Sequence, residues 1–112
     1  MQNQDLVSLL NSLNAQQSAL TDQLQDTTDP GLANAISTEI FEILHRIVLT
    51  QNLLFQSDSA QLRAAVATVK SADGTLSAAI GQITKAADVI NAVSTYLAYV
   101  DKAIDLAKSA LA

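Results

Sequence analysis

Glu42 and His45 come closest to a chemical site in residue type and spacing, because they form a Glu-x-x-His pair at helical spacing. Carboxylate bundles that hold two metal ions use two such pairs and two further glutamates, all pointing inward. This chain has one such pair and only two glutamates, and the surrounding isoleucines place Glu42 outward, four residues before Arg46. We therefore predict a surface ion pair between Glu42 and Arg46, with no metal and no cofactor. A symmetric dimer, which would double the ligands, is the one arrangement that keeps a metal site open.

The other reactive residue types form no catalytic arrangement. The chain has no cysteine, and none of its serines lies in the Gly-x-Ser-x-Gly turn that exposes a nucleophile. Its carboxylates pair as Asp26 with Asp29, beside a helix start, and as Asp101 with Asp105, on a helix face next to lysines. Helix caps and solvated faces commonly collect acids, so both pairs are interpreted as structural. The sequence predicts that the protein is not an enzyme.

Charge is unevenly distributed along the chain, whose formal net charge is −5. Seven acids and one base precede Ser59, whereas four acids and five bases follow it. No group of lysines and arginines is dense enough to neutralise several phosphates, so we expect no nucleic-acid binding. The acidic half could instead orient a basic protein, which gives an alternative function as an acidic inhibitor or immunity-type protein. The acids that would carry this function are Asp22, Asp26, Asp29, Glu39 and Glu42.

Targeting signals are not apparent in the sequence. The start of the chain, Met-Gln-Asn-Gln-Asp, lacks the basic and apolar regions of a secretory signal. No stretch approaches the roughly 18 to 20 apolar residues that span a bilayer. We therefore expect a cytoplasmic location, with leaderless export left open.

Composition and periodicity predict an all-α fold in a single domain over residues 1–112. Hydrophobic residues make up 49% of the chain and aromatic residues 4%, with one proline and three glycines, which disfavours β folds. Leucines at steps of three and four residues indicate a first helix over about 4–25. Asp29 as N-cap and Pro30 in the first helical position predict the start of a second helix, about 30–56. These elements fit an antiparallel helical bundle of three to four helices.

The second half of the chain contains an apolar repeat of seven residues, in which both seam positions are apolar over about fifty residues. The two series are Leu62, Val69, Leu76, Ile83, Ile90, Leu97, Ile104 and Leu111, and Ala65, Ala72, Ala79, Ala86, Val93, Val100 and Ala107. Asp58 with Gln61 suggests a capping box, and Asp73-Gly74 suggests a turn. We therefore predict helices over about 59–72 and 75–111, with the break at Gly74 favoured. Without a break near Asp58, residues 30–72 would form one continuous long helix.

Apolar residues surround most of the second helix, and this surplus predicts a contact surface. The side chains proposed for the partner interface are Phe41, Leu49, Leu53, Phe55, Tyr96 and Tyr99. We therefore expect a non-enzymatic interaction or assembly protein that self-associates as a homo-oligomer and presents an apolar helical face to a protein partner. A membrane-active helical protein, such as a component of a pore-forming toxin system, is a further alternative, because long amphipathic helices can refold onto bilayers.

Overall fold

The computed structural model describes residues 2–109, and it confirms the predicted all-α fold. Its helices are α1 (Gln4–Asp26), α2 (Pro30–Gln51), α3 (Ala60–Ile80) and α4 (Ala86–Ser109). They pack lengthwise into a bundle that measures 45 × 21 × 19 Å. The bundle is therefore about as long as one of its helices with the turns at either end.

Polar side chains fix where the first three helices begin. Asn3 Oδ1 accepts hydrogen bonds of 3.0 and 3.2 Å from backbone N–H groups in the first turn of α1. Asp29 caps α2 in the same way, with Pro30 at the first helical position, as predicted. Ser59 Oγ accepts a hydrogen bond of 3.0 Å at the start of α3. Because these caps satisfy N–H groups that lack a partner within the helix, they define the helix starts.

The four helices form a square in which α1 and α4 occupy opposite corners and each contacts both α2 and α3. The hairpins α1–α2 and α3–α4 are antiparallel, as their short connections require. Across the hairpins, α1 and α3 run parallel, since Asp5 Oδ2 lies 3.5 Å from Arg63 Nε and Ser12 hydrogen-bonds to Asp73 further along both helices. The connection from α2 to α3 therefore crosses the diagonal of the bundle.

Each helix contributes one apolar stripe to a shared core. Fully or nearly fully buried members include Leu6, Leu9, Leu13 and Leu20 of α1, Ile36, Ile43 and Ile47 of α2, Val66, Val69 and Leu76 of α3, and Val89, Val93, Val100 and Ile104 of α4. Burying one such side chain stabilises a fold by about 1.5 to 3 kcal/mol. The bundle therefore has a core of its own before any association with another chain.

The predicted break at Asp73-Gly74 is wrong, because both residues lie inside α3, which continues to Ile80. The Asp73 carboxylate accepts hydrogen bonds from Ser12 and Gln16 of α1, so it does not bind the backbone of its own helix as a turn residue would. Gly74 lies on the exposed side, and apart from its chain neighbours and the adjacent backbone of α3, none of the described atoms is within 4 Å of the place where a Cβ would stand. Tertiary contacts thus override the turn propensity of this dipeptide.

Helix α2 is shorter than predicted. It ends at Gln51 rather than near position 56, and residues 52–59 separate it from α3. The alternative of one continuous helix over residues 30–72 is therefore wrong. The backbone keeps winding after Gln51, but with hydrogen bonds three residues apart, as from the Leu53 N–H to the Thr50 carbonyl at 3.0 Å. This tighter winding ends the α-helix and brings Leu53 into the core.

The second break lies at residues 81–85, within the seven-residue repeat. The repeat did not reveal it because the apolar spacing happens to continue across the turn. Ile83 is half-buried in that turn, and Ile90 is 45% exposed on α4. The repeat therefore marks one buried stripe on α3 and another on α4, and the turn separates the two. Leu111, the last position of the predicted repeat, lies outside the described residues.

Candidate functional site

The outer side of α2 carries the main exposed apolar surface among the described residues. Phe41, Leu44 and Val48 are 71%, 37% and 54% exposed, and Phe55, in the turn that follows, is 72% exposed. Positions 41, 44 and 48 are three and four residues apart, so these three side chains fall on one face of α2, and Phe55 is exposed in the turn beyond its end. We call these four side chains the outer stripe.

Asn3 holds the backbone that carries Phe55. Its backbone N–H donates to the Leu54 carbonyl at 2.6 Å, and its Nδ2 donates to the Gln56 carbonyl at 3.1 Å. Both neighbours of Phe55 are therefore anchored to the start of α1, and Leu53 lies in the core. The aromatic ring of Phe55 is thus exposed on a fixed backbone. A held aromatic loses less conformational entropy on binding than one on a free loop.

Most residues around the outer stripe are uncharged, and the exception on α2 is Glu42, which follows Phe41, is exposed and pairs with Arg46. We call the uncharged ones the uncharged rim; they are Asn34, Ser37, Thr38, His45, Gln51 and Asn52, all exposed or half-buried. Protein interfaces are typically depleted of charged residues at their centre and polar at their edge. The outer stripe and its rim, which together we call the outer face, have this composition.

An ion network separates the outer face from α4. Arg46 pairs with Glu42, as predicted, and also with Asp101 of α4, with Nε to Oδ1 at 3.0 Å and Nη2 to Oδ2 at 3.1 Å. The forked contact to Asp101 joins α2 to α4 and keeps Arg46 only 17% exposed. Asp101 and then Glu42 raise the pKa of Arg46 further. The charges of α2 are thus gathered on its α4 side, away from the outer stripe.

Three of the six predicted interface residues are exposed and three are not. Phe41, Phe55 and Tyr99 are exposed, the last at 41%. Leu49 is half-buried against the core, whereas Leu53 and Tyr96 are buried at 6% and 1% exposure. Leu53 and Tyr96 pack inside this chain and are not available to a partner, whereas Leu49 is partly accessible. Leu44 and Val48 are exposed but were not among the predicted interface residues, although their spacing from Phe41 was a usable signal.

A buried polar cluster joins three helices and was also missed. It consists of Ser12 and Gln16 on α1, Asp73 and Ser77 on α3, and Tyr96 on α4. Asp73 Oδ1 accepts hydrogen bonds from Ser12 Oγ at 2.8 Å and from Gln16 Nε2 at 2.5 Å. Burial raises the pKa of the Tyr96 phenol, which keeps it protonated. Ser12, Gln16 and Tyr96 are buried, Asp73 is half-buried and Ser77 is exposed, and Gln16 Oε1 is buried without a hydrogen-bond partner among the described residues. Because the other polar groups bind one another, we interpret the cluster as structural.

A groove of small side chains runs between α3 and α4. It is lined by Ala72, Thr75 and Ala79 on one side and Ala92, Thr95 and Tyr99 on the other, with a volume of about 400 Å³. Its lining is mostly apolar and it opens to solvent. Hydroxyl groups are the polar side-chain groups of its lining, and no charged side chain is among them. It is therefore a weaker candidate than the outer face.

The acids proposed for a basic partner do not form one free surface. Glu39 is buried at 7% exposure, Glu42 pairs with Arg46, and Asp29 caps α2. Burial, and then repulsion from Glu42, raises the pKa of Glu39. Within residues 2–109 no three His, Asp or Glu side chains gather as metal ligands would. None of the four described helices has the length and apolarity needed to cross a membrane.

Fold and surface together define a four-helix bundle with a diagonal connection and one uncharged apolar outer face. Comparisons of the chain with protein-family models, with curated proteins and with solved structures return no match. The function is therefore inferred from the surfaces of this chain.

Proposed function

We propose that this protein is a non-enzymatic interaction and assembly protein that binds another protein surface through the outer face of α2. The observation that carries the proposal is the outer stripe, with two phenylalanines more than 70% exposed. Aromatic residues are enriched among those that dominate binding energy in interfaces. Three large apolar side chains on one face of a helix, with Phe55 exposed in the turn that follows, differ from the scattered exposed residues that any soluble surface carries.

Helix-in-groove and helix-on-helix recognition fit this surface. Both modes use apolar anchors at steps of three, four and seven residues along a helix. Phe41, Leu44 and Val48 have these steps, and Phe55 extends the row by a further seven. The Asn3 contacts that fix Phe55 prepare this last anchor for binding. The contact therefore requires little rearrangement of the bundle.

The proposal is tested with a double variant, Phe41→Gln/Val48→Gln, and a matched control, Ile90→Gln. Ile90 is an exposed apolar residue on α4, away from the outer stripe, so the control also removes exposed apolar surface. Circular dichroism and thermal melting establish that each variant is folded. Two readouts are compared with wild type: the mass in solution by light scattering, and the capture of other proteins by the immobilised chain.

We expect at least one of these associations to occur with wild type and with Ile90→Gln, and to be lost in the double variant. Loss of two central anchors should weaken binding roughly tenfold or more. If wild type forms neither association, or if the double variant retains all of them, the proposal is wrong.

A further inference from the structure

We infer that the cavity between α2 and α4 binds the ammonium group of a primary aliphatic amine, with the Glu39 carboxylate as its main acceptor. The cavity has a volume of about 350 Å³ and is lined by residues of both helices. It lies where α2 faces α4, so the inference goes beyond the proposed function and does not depend on the outer face. Three properties of the cavity support it: a buried carboxylate without a partner, an excess of negative charge, and a lining of hydrogen-bond acceptors.

Glu39 is the side chain that indicates a ligand. It is 7% exposed and lines the cavity, and no hydrogen bond or ion pair among the described residues includes its carboxylate. Gln16 Oε1 is the one fully enclosed side-chain nitrogen or oxygen without a partner in this part of the chain, so the Glu39 oxygens keep contact with open space. Burial, and then repulsion from Glu42, raises the pKa of Glu39, and Arg46 opposes this rise only in part. A carboxylate removed from water is normally paired or hydrogen-bonded, so Glu39 lacks a counter-charge that a cationic ligand would supply.

The cavity has more negative than positive groups. Its charged lining consists of three carboxylates and one guanidinium, those of Glu39, Glu42, Asp101 and Arg46. Arg46 donates through Nε and Nη2 to Asp101 and through Nη1 to Glu42, so all three of its nitrogens already have partners. Arg46 therefore neutralises part of the site and leaves Glu39 without a donor. A ligand that is cationic and carries hydrogen-bond donors complements this arrangement.

An ammonium group fits this cavity better than a metal ion does. Among the described side chains, no three of the His, Asp or Glu types gather as metal ligands would. An ammonium group donates three hydrogen bonds and accepts none. Glu39 can accept one of them, and the hydroxyl oxygens of Thr38 and Ser94, which also line the cavity, can accept others. Thr38 Oγ1 donates its own hydrogen to a backbone carbonyl of α2 at 3.0 Å, which leaves its oxygen free to accept.

The rest of the lining suits the carbon chain of an amine. Leu97 and Ala98 of α4 contribute apolar atoms to the same cavity. Sites for small ligands commonly combine apolar walls with a few polar groups that fix orientation. The ligand class is therefore a primary alkylammonium, which could be a free amine or the side chain of a protein lysine.

Titrations followed through the backbone amide signals in nuclear magnetic resonance spectra test the inference, because they report both the affinity and the place of binding. The two probes are butylamine, a free amine, and Nα-acetyl-lysine methylamide, which carries the ammonium group of a protein lysine. Tetramethylammonium is the control ligand, since it has the same charge as butylammonium but no N–H donor. Ionic strength is held constant because salt screens charges near the surface.

Two variants test the site itself, and circular dichroism first establishes that each is folded. Glu39→Gln keeps the size of the side chain and removes its charge, and Asp22→Asn is the matched control because it removes a charge from an exposed site on α1. Ala98→Leu fills the cavity and leaves Glu39 in place. Leucine is a good helix former, so this substitution should not disturb α4.

We expect saturable binding of at least one of the two amines, with signal changes centred on residues 38–46 and 94–101. Glu39→Gln and Ala98→Leu should each weaken this binding on the order of tenfold, whereas Asp22→Asn should not change it. Tighter binding of butylamine would assign free amines as the source of the ligand, tighter binding of the lysine derivative would assign a protein side chain, and either result supports the site. The inference is overturned if neither amine binds at up to about 10 mM, if tetramethylammonium binds equally well, or if Glu39→Gln binds as wild type does.

Discussion

The hydroxyl oxygens of Tyr96 on α4 and Ser12 on α1 lie 2.7 Å apart, although these two helices occupy opposite corners of the bundle. Because the Ser12 hydroxyl donates to Asp73, the Tyr96 hydroxyl is the donor in this contact. A single hydrogen-bonded path therefore links α4, α1 and α3. Buried polar contacts of this kind penalise shifted packings, in which their groups would lose partners.

Removing the Tyr96 hydroxyl should lower the stability of the fold. We predict that Tyr96→Phe lowers the free energy of unfolding by about 0.5 to 1.5 kcal/mol, the usual net contribution of one hydrogen bond. Denaturant unfolding measures the change. Tyr99→Phe is the matched control, since Tyr99 is 41% exposed and its loss of a hydroxyl should have little effect. Equal effects of the two substitutions would contradict the role given to Tyr96.

Gly74 offers a test of the continuous α3. Because the position is helical and open, Gly74→Ala should raise the free energy of unfolding by roughly 1 kcal/mol, the difference in helix propensity between the two residues. The melting temperature should rise accordingly. Gly81→Ala, at the end of α3, should have a smaller effect because it lies outside the helix interior. A loss of stability in Gly74→Ala would indicate that the chain turns at this dipeptide.

The pH dependence of stability should reveal the raised pKa of Glu39. Its pKa is raised in the folded state by burial and then by Glu42, so ionisation of this group opposes folding at neutral pH. Glu39→Gln should therefore be more stable than wild type at pH 7. This advantage should shrink as the pH falls through the folded pKa of Glu39 and vanish below the ordinary value of 4.5.

Asp22→Asn is the control for this titration, because it removes one negative charge from an exposed site on α1. Thermal melting of the three proteins between pH 3.5 and 8, a range that brackets the ordinary pKa of a glutamate, supplies the comparison. An advantage of Glu39→Gln that did not change with pH would exclude ionisation as its cause.

Asn3 should control both the start of α1 and the mobility of the turn that holds Phe55. Asn3→Ala removes the side-chain cap and the bond to the Gln56 carbonyl, and caps of this type contribute about 0.5 to 2 kcal/mol. Hydrogen exchange should become faster in residues 52–56. Asp29→Ala, which removes the cap of α2, should lower stability without this change at the turn. Unchanged exchange at 52–56 in Asn3→Ala would contradict the anchoring of Phe55.

Local signals in the sequence predicted much of this structure. The helical class, the start of α2 at Asp29-Pro30 and the pair of Glu42 with Arg46 each depend on residues within four positions of one another. The break near Asp58 also follows from a local cap, although Ser59 rather than Asp58 is the capping residue. Interactions between residues so close in the sequence can be predicted without knowing how the helices pack.

Features that depend on packing between helices were not predictable in this way. Asp73 is a turn residue by type, and only its contacts with Ser12 and Gln16, about sixty positions earlier, keep it helical. Tyr96 and Tyr99 have the same type and opposite exposures, because α4 directs one toward α1 and the other toward the groove beside α3. The sequence could predict the outer stripe only in part. Leu49 and Leu53 are as apolar as Leu44 and Val48, but they face inward, and residue type does not show this difference.

The most direct test of self-association is the mass of the wild-type chain in solution. Analytical ultracentrifugation measures this mass over about a hundredfold range of concentration, because a weak interface changes from mostly free to mostly bound over that span. Self-association through the outer face should raise the average mass above 11.8 kDa as the concentration increases, and Phe41→Gln/Val48→Gln should stay at 11.8 kDa throughout. A wild-type mass that remains at 11.8 kDa at every concentration, or a double variant that associates as wild type does, would contradict self-association through the outer face of α2.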